Sequence, residues 1–126
     1  MKKAFDVAKA PRKVGPYSHV VVANGFVFVC GQGPFIPETN ELAETTIKEH
    51  TRQTLENIKT ILEAADSSLD DVVKVNVYLR NLSDFAEFNE VYGEYFKENQ
   101  PVRTTTGADL LGKILIEIDC IAALNK

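Results

Sequence analysis

The sequence predicts an α/β fold of the α+β kind, a mixed β-sheet with two helices packed on one face. Three observations predict it. A hairpin signature stands near the N-terminus, two segments of helical period follow, and stretches of strand alternation separate and close them.

The hairpin lies in Ser18 to Gln32. Val20-Val21-Val22-Ala23 and Phe26-Val27-Phe28-Val29 are rich in β-branched and aromatic residues. Asn24-Gly25 between them tolerates the positive φ angles of a two-residue turn. Gly31 to Thr46 holds Gly33, Pro34, Pro37 and Asn40 without a period, so it reads as a long loop. Thr46 with Glu49 fits a capping box at a helix start. Ile47, Thr51, Leu55, Ile58, Leu62 and Ala65 then share one helical face, and Asp66-Ser67-Ser68 ends the helix.

Val73, Val75, Val77 and Leu79 alternate with Lys74, Asn76, Tyr78 and Arg80, the period of a half-buried strand. Ser83 and Asp84 suit the N-cap of a second helix. Its buried face carries Phe85, Phe88, Tyr92 and Phe96, and Asn99-Gln100-Pro101 stops it. Val102 to Thr106 reads as a strand and Asp109 to Gly112 as a turn. Ile114, Ile116, Ile118 and Cys120 alternate with Leu115, Glu117, Asp119 and Ile121 in a last strand. With an N-terminal strand or arm, the order is strand, hairpin, helix, strand, helix, strand, strand.

At 126 residues the chain fits one domain, 1–126, with no repeat or linker. Apolar residues make up 44% and charged residues 25%, enough for one core of limited size. Fourteen basic against 18 acidic residues leave a net charge of −4. Nucleic-acid affinity depends on displacing counterions from phosphates, so this acidity argues against a nucleic-acid partner. No stretch approaches the roughly 20 apolar residues of a membrane span. Lys2 and Lys3 precede no apolar run, so the start is a poor signal peptide, and a cytoplasmic protein is expected. Cys30 and Cys120 lie in apolar runs without zinc or CxxC spacing, and read as two buried free thiols. His19 and His50 form no metal motif, and no phosphate loop is present.

Two residues leave a choice open. Arg103, inside the β-rich run 102–106, is either a surface charge or a bidentate anchor for a carboxylate. Glu117, between two isoleucines, either faces solvent or orients and deprotonates water. Asp119 shares its face and competes for that role. Tyr17, after Gly15-Pro16, and Asn89, beside Phe88, stand near background when taken singly.

Taken together they do not. Gly15-Pro16-Tyr17-Ser18, Cys30-Gly31-Gln32-Gly33-Pro34, Gln53 to Ile58, Asp84 to Asn89 with Tyr92 and Phe96, Pro101-Val102-Arg103, and Ile116 to Ala122 occur in order. In this the chain resembles the RidA/YjgF family of reactive-intermediate (enamine/imine) deaminases over nearly its whole length. The resemblance implies a chorismate-mutase-like fold and a homotrimer with clefts between subunits. It implies a hydrolase that needs no cofactor. The substrates would be enamines and imines such as 2-aminoacrylate and 2-iminopropanoate, formed by pyridoxal-phosphate dehydratases, and the products a 2-oxo acid and ammonia.

The resemblance also implies roles. Arg103 would hold the substrate carboxylate, Glu117 would position the attacking water, and Tyr17 would line the cleft. Gly31 and Asn89 would lie at the substrate, with Thr105 beside them. Thr105 departs from the family pattern, which has a cysteine there, and this disfavours a thiol-based mechanism. Other readings are a carboxylate-binding regulatory trimer without turnover, an aminomuconate-deaminase-like relative, and an RNA-directed role that the net charge opposes.

Overall fold

The predicted strands and helices form in the predicted order, with local shifts. A computed structural model describes residues 1–125. Its strands are β1 (Lys3–Phe5), β2 (Val20–Ala23), β3 (Phe26–Gln32), β4 (Val72–Leu79), β5 (Val102–Gly107) and β6 (Ile116–Ala123). Helix α1 (Ile47–Ala64) joins β3 to β4, and α2 (Phe85–Tyr95) joins β4 to β5. The strands form one sheet in the order β1-β2-β3-β6-β4-β5. β4 and β5 are parallel, and every other pair is antiparallel.

This topology explains why both helices share a face. The connections β3-α1-β4 and β4-α2-β5 step across the sheet in one direction. Crossovers of this kind are almost always right-handed, so two steps in one direction place both helices on the same side. Leu55, Ile58, Ile61 and Leu62 of α1 and Phe88 of α2 pack there against Val27, Val75, Val77, Ile116 and Ile118, all at most 1% exposed. Among the described residues no helix covers the opposite face. It presents Phe26, Phe28 and Val73, each over 40% exposed.

Local chemistry sets the element ends. Asn24 and Gly25 both take positive φ, 52° and 82°, so the hairpin turn is the type whose twist matches its strands. The Thr46 side chain accepts a hydrogen bond from the Glu49 N–H at 3.2 Å. The capping box is only half closed, because Glu49 turns to Arg52 at 3.6 Å. The second helix is entered through a 3-10 turn at Leu82–Asp84, and Asp84 makes no side-chain cap.

Three burial expectations change. A register shift between Val72 and Lys74 places Val72 in the core and turns Val73 out. Phe85 is 42% exposed and lies beneath the Arg103 guanidinium rather than in the core. Cys30 is half-buried, while Cys120 is buried as expected. A shift between Val29 and Gln32 puts two residues, Cys30 and Gly31, where β6 has one. That bulge ends the simple alternation of the strand. The last strand begins at Ile116, two residues later than its alternation suggested.

Asn57 accounts physically for the first-helix signature. It is 1% exposed, and its amide donates to the carbonyls of Gly33 at 3.0 Å and Phe35 at 2.8 Å. Gln53, one turn earlier, donates to Asn57 Oδ1 at 3.1 Å and fixes the amide orientation. The loop after β3 is thereby tied to α1. Asn57→Ala leaves two carbonyls without these donors, and is expected to lower stability by about 2–3 kcal/mol in urea unfolding. An unchanged midpoint would mean water replaces the amide at no loss.

Candidate active site

The residues singled out from the sequence fall into two groups on opposite faces of the sheet. Strand pairing decides this. Glu117 pairs with Tyr78, and Tyr78 with Thr106, all on the uncovered face. Arg103 pairs with Val75, which pairs with Cys120, and Val75 and Cys120 point to the helices. β4 lies between β5 and β6, so the two residues also stand two strand spacings apart, roughly 10 Å.

The first group is Tyr17, Gly31 and Glu117, which line a cleft of about 590 Å³ together with Cys30 and His19. Gly31 is the point of closest approach. A Cβ built on it would overlap Oε2 of Glu117 and lie 3.0 Å from its Cδ. Only glycine leaves room for the carboxylate at this position. Burial pushes the Glu117 carboxyl above the usual range, and the neighbouring Asp119 adds to the shift. Asp119 itself accepts a hydrogen bond from Asn76 at 2.9 Å. The Tyr17 hydroxyl accepts the Val14 N–H at 3.2 Å, which leaves its own proton to donate to a ligand. Cys30 Sγ receives the Gln32 amide at 3.2 Å. Burial raises its pKa, the Gln32 hydrogen bond opposes this, and Glu117 adds to the rise, so the thiol stays protonated.

The second group is Arg103, Asn89 and Thr105, where β5 meets α2. The guanidinium of Arg103 lies 4.7 Å from the ring centre of Tyr92, 5.1 Å from Phe88 and 5.6 Å from Phe85. Its Nη1 donates to Asn89 Oδ1 at 2.9 Å. Asn89 thus orients the arginine, and the remaining N–H groups of the fork have no hydrogen-bond partner among the described residues. Thr105 lies two residues further along the same strand face, its hydroxyl buried without a hydrogen-bond partner. No salt bridge to Arg103 occurs among the described residues.

Two residues with no assigned role in the sequence reading hold the cleft wall. His19, 5% exposed, accepts the Val7 N–H on Nδ1 at 2.9 Å and faces the Pro11 carbonyl with Nε2 at 2.9 Å. This is the pattern of a neutral ring with its proton on Nε2. Arg80 donates to the carbonyls of Ile114, Leu110 and Gly112 at 2.8, 2.8 and 2.9 Å, and so fixes the loop before β6. No local sequence signal marks either role, since both partners are backbone groups distant along the chain. No group of three His, Cys, Asp or Glu stands close enough to hold a metal among the described residues.

A mixed sheet with both helices on one side thus carries a glycine-cradled glutamate on one face and an aromatic-stacked arginine on the other. Residues 7–124 match the family model described as Endoribonuclease L-PSP. A RutC family protein of Pyrococcus horikoshii is 50% identical over 123 residues, which is 97% of this chain and 98% of that protein. The chloroplastic Reactive Intermediate Deaminase A of Arabidopsis thaliana is 38% identical over 124 residues, 98% of this chain and 66% of that protein. The crystal structure of E. coli TdcF with bound serine superposes with a TM-score of 0.91 at 35% identity, covering 98% of this chain and 99% of that one. The chain belongs to the RidA/YjgF family, with the L-PSP, chorismate-mutase-like fold.

Proposed function

We propose that this protein hydrolyses imines of 2-amino acids to 2-oxo acids and ammonia, in clefts shared between neighbouring copies of a homotrimer. One observation carries the reading. Arg103 and Glu117 face opposite sides of one sheet, so a site that uses both draws them from two copies. The uncovered apolar sheet face supplies the surface for such an assembly. A relative with bound serine and another named as a reactive intermediate deaminase support an amino-acid-like ligand. The net charge of −4 disfavours a phosphate backbone as the alternative substrate.

The chemistry needs little from the protein. A protonated imine carbon is already electrophilic, so orientation and water delivery dominate. Arg103 holds the carboxylate through the part of its fork that Asn89 leaves free. Glu117, as carboxylate, takes a proton from water while its oxygen bonds to C2. The C=N double bond becomes a single bond, and its electron pair goes to nitrogen. Glu117 then returns the proton to the nitrogen. As the C–N bond breaks, a lone pair of the hydroxyl oxygen forms the C=O bond, and Glu117 takes the hydroxyl proton and passes it to the departing ammonia, which leaves as ammonium with the 2-oxo acid. Every atom of imine and water is accounted for, without an oxidant or a cofactor.

The test adds the protein to a dehydratase that generates imines, and follows the release of ammonia and 2-oxo acid. Acceleration of the release is expected. Its absence would sink the enzymatic reading, and a monomer by light scattering at micromolar concentration would sink the shared cleft. Gly31→Ala supplies a further check. The added methyl displaces Glu117, so turnover is expected to fall by at least about tenfold in the folded variant. Normal turnover would show that the carboxylate position is not critical.

A further inference from the structure

The cleft beside Glu117 is lined by both polar and apolar side chains, and the apolar ones point to the substrate. Beside Tyr17, Gly31 and Glu117 it is lined by the apolar side chains of Val14, Phe35, Leu111 and Ile114, which make up its apolar wall. Leu111 is the salient member. It is 79% exposed, yet its loop is firmly built. Arg80 grips the carbonyls on both sides of it, those of Leu110 and Gly112, and that of Ile114 beyond. Gly112 takes a φ of 59°, a left-handed turn that favours glycine. The other wall residues are pinned as well. The Phe35 carbonyl is held by Asn57 at 2.8 Å and the Val14 N–H by Tyr17 at 3.2 Å. A large apolar side chain is thus held at a cleft mouth by a dedicated arginine.

This arrangement, together with the reading above on which it rests, leaves one substituent unassigned. A 2-imino acid whose C2 lies at Glu117 carries a carboxylate and a side chain. The carboxylate goes to Arg103 of a neighbouring copy, and the side chain is left to the wall. We infer that the preferred substrates are imines of amino acids with aliphatic side chains larger than methyl, with Leu111 as the specificity residue and Arg80 as the residue that positions it. Arg12 also borders the cleft, through an exposed side chain, so an acidic substrate side chain is the competing outcome.

Calorimetry with product 2-oxo acids tests this without relying on turnover. The parent protein is titrated with pyruvate, 4-methyl-2-oxopentanoate and oxaloacetate. The aliphatic acid is expected to bind at least about tenfold more tightly than pyruvate, the discrimination an apolar pocket provides for added methylenes. Leu111→Ser should lower that ratio by about tenfold. Arg80→Lys keeps a charge but cannot span three carbonyls, and should lower the ratio in the same direction. Equal affinities, tighter binding of oxaloacetate, or a ratio untouched by Leu111→Ser would each overturn the apolar wall while leaving the proposed site intact. Failure of all three acids to bind would overturn the site and the wall together.

Discussion

Glu117→Gln is expected to lower imine turnover by about 10²–10⁴-fold, the range for loss of a positioned acid–base group, while 2-oxo acid binding stays close to that of the parent. The amide keeps the shape of the side chain and its place against Gly31. It loses only the ability to take a proton from water, so the loss falls on the transition state. The pH dependence gives a second signature. Burial, with help from Asp119, raises the carboxyl pKa, and the group must be ionised to act as base. The acid limb of kcat/KM should therefore lie above the ordinary glutamate range, and Asp119→Asn should move it down. The same shift bears on stability. The folded state holds the Glu117 proton more tightly than the unfolded chain does. Its contribution is present below the ordinary glutamate pKa and lost as pH rises through the raised one. At neutral pH Glu117→Gln should thus be no less stable than the parent by urea unfolding. A variant that turns over normally, or one that is inactive only because it unfolds, would make Glu117 a structural strand residue.

Features decided by neighbours in sequence were legible beforehand. The Asn24-Gly25 turn, the apolar face of α1 and the Thr46 cap follow from residues at most a few turns apart, and each appears in the fold. Features decided by pairing were not. Alternation alone places Val73 with Val75, but pairing with β6 shifts register and brings Val72 inside instead. Cys30 is a further case: its apolar run reads as a buried thiol, whereas its place in β3, with Phe26 and Phe28, leaves it half-buried at the cleft. The divided site is the deepest case. Alternation shows that Glu117 and Asp119 share a face and that Arg103 and Thr105 share one. It cannot show that β4 intervenes or which face the helices cover, because both depend on the order of the whole sheet. Only with that order does the separation of arginine from glutamate become apparent.

That separation makes the mixing of two inactive variants the sharpest test of the shared site. Arg103→Ala removes the charge-assisted hydrogen bonds to the ligand carboxylate, worth roughly 1.5–3 kcal/mol for bonds to charged groups. Binding of a 2-oxo acid should therefore weaken by at least about tenfold, and most turnover should disappear. The fold should persist, because Arg103 lies on an edge strand and its one side-chain hydrogen bond goes to Asn89, which is itself not fully buried. Glu117→Gln is inactive for the separate reason given above. The Arg103→Ala chain still carries Glu117, and the Glu117→Gln chain still carries Arg103. Unfolded together in equal amounts and refolded, they assemble at random. About one cleft in four then receives Arg103 from one copy and Glu117 from its neighbour, and about a quarter of the parent turnover should return. Each variant refolded alone should stay inactive. A site built within a single chain predicts no recovery, since every chain in the mixture lacks one of the two residues. Recovery would show that catalysis occurs between copies, and its absence from a mixture that light scattering shows to be assembled would overturn the shared cleft.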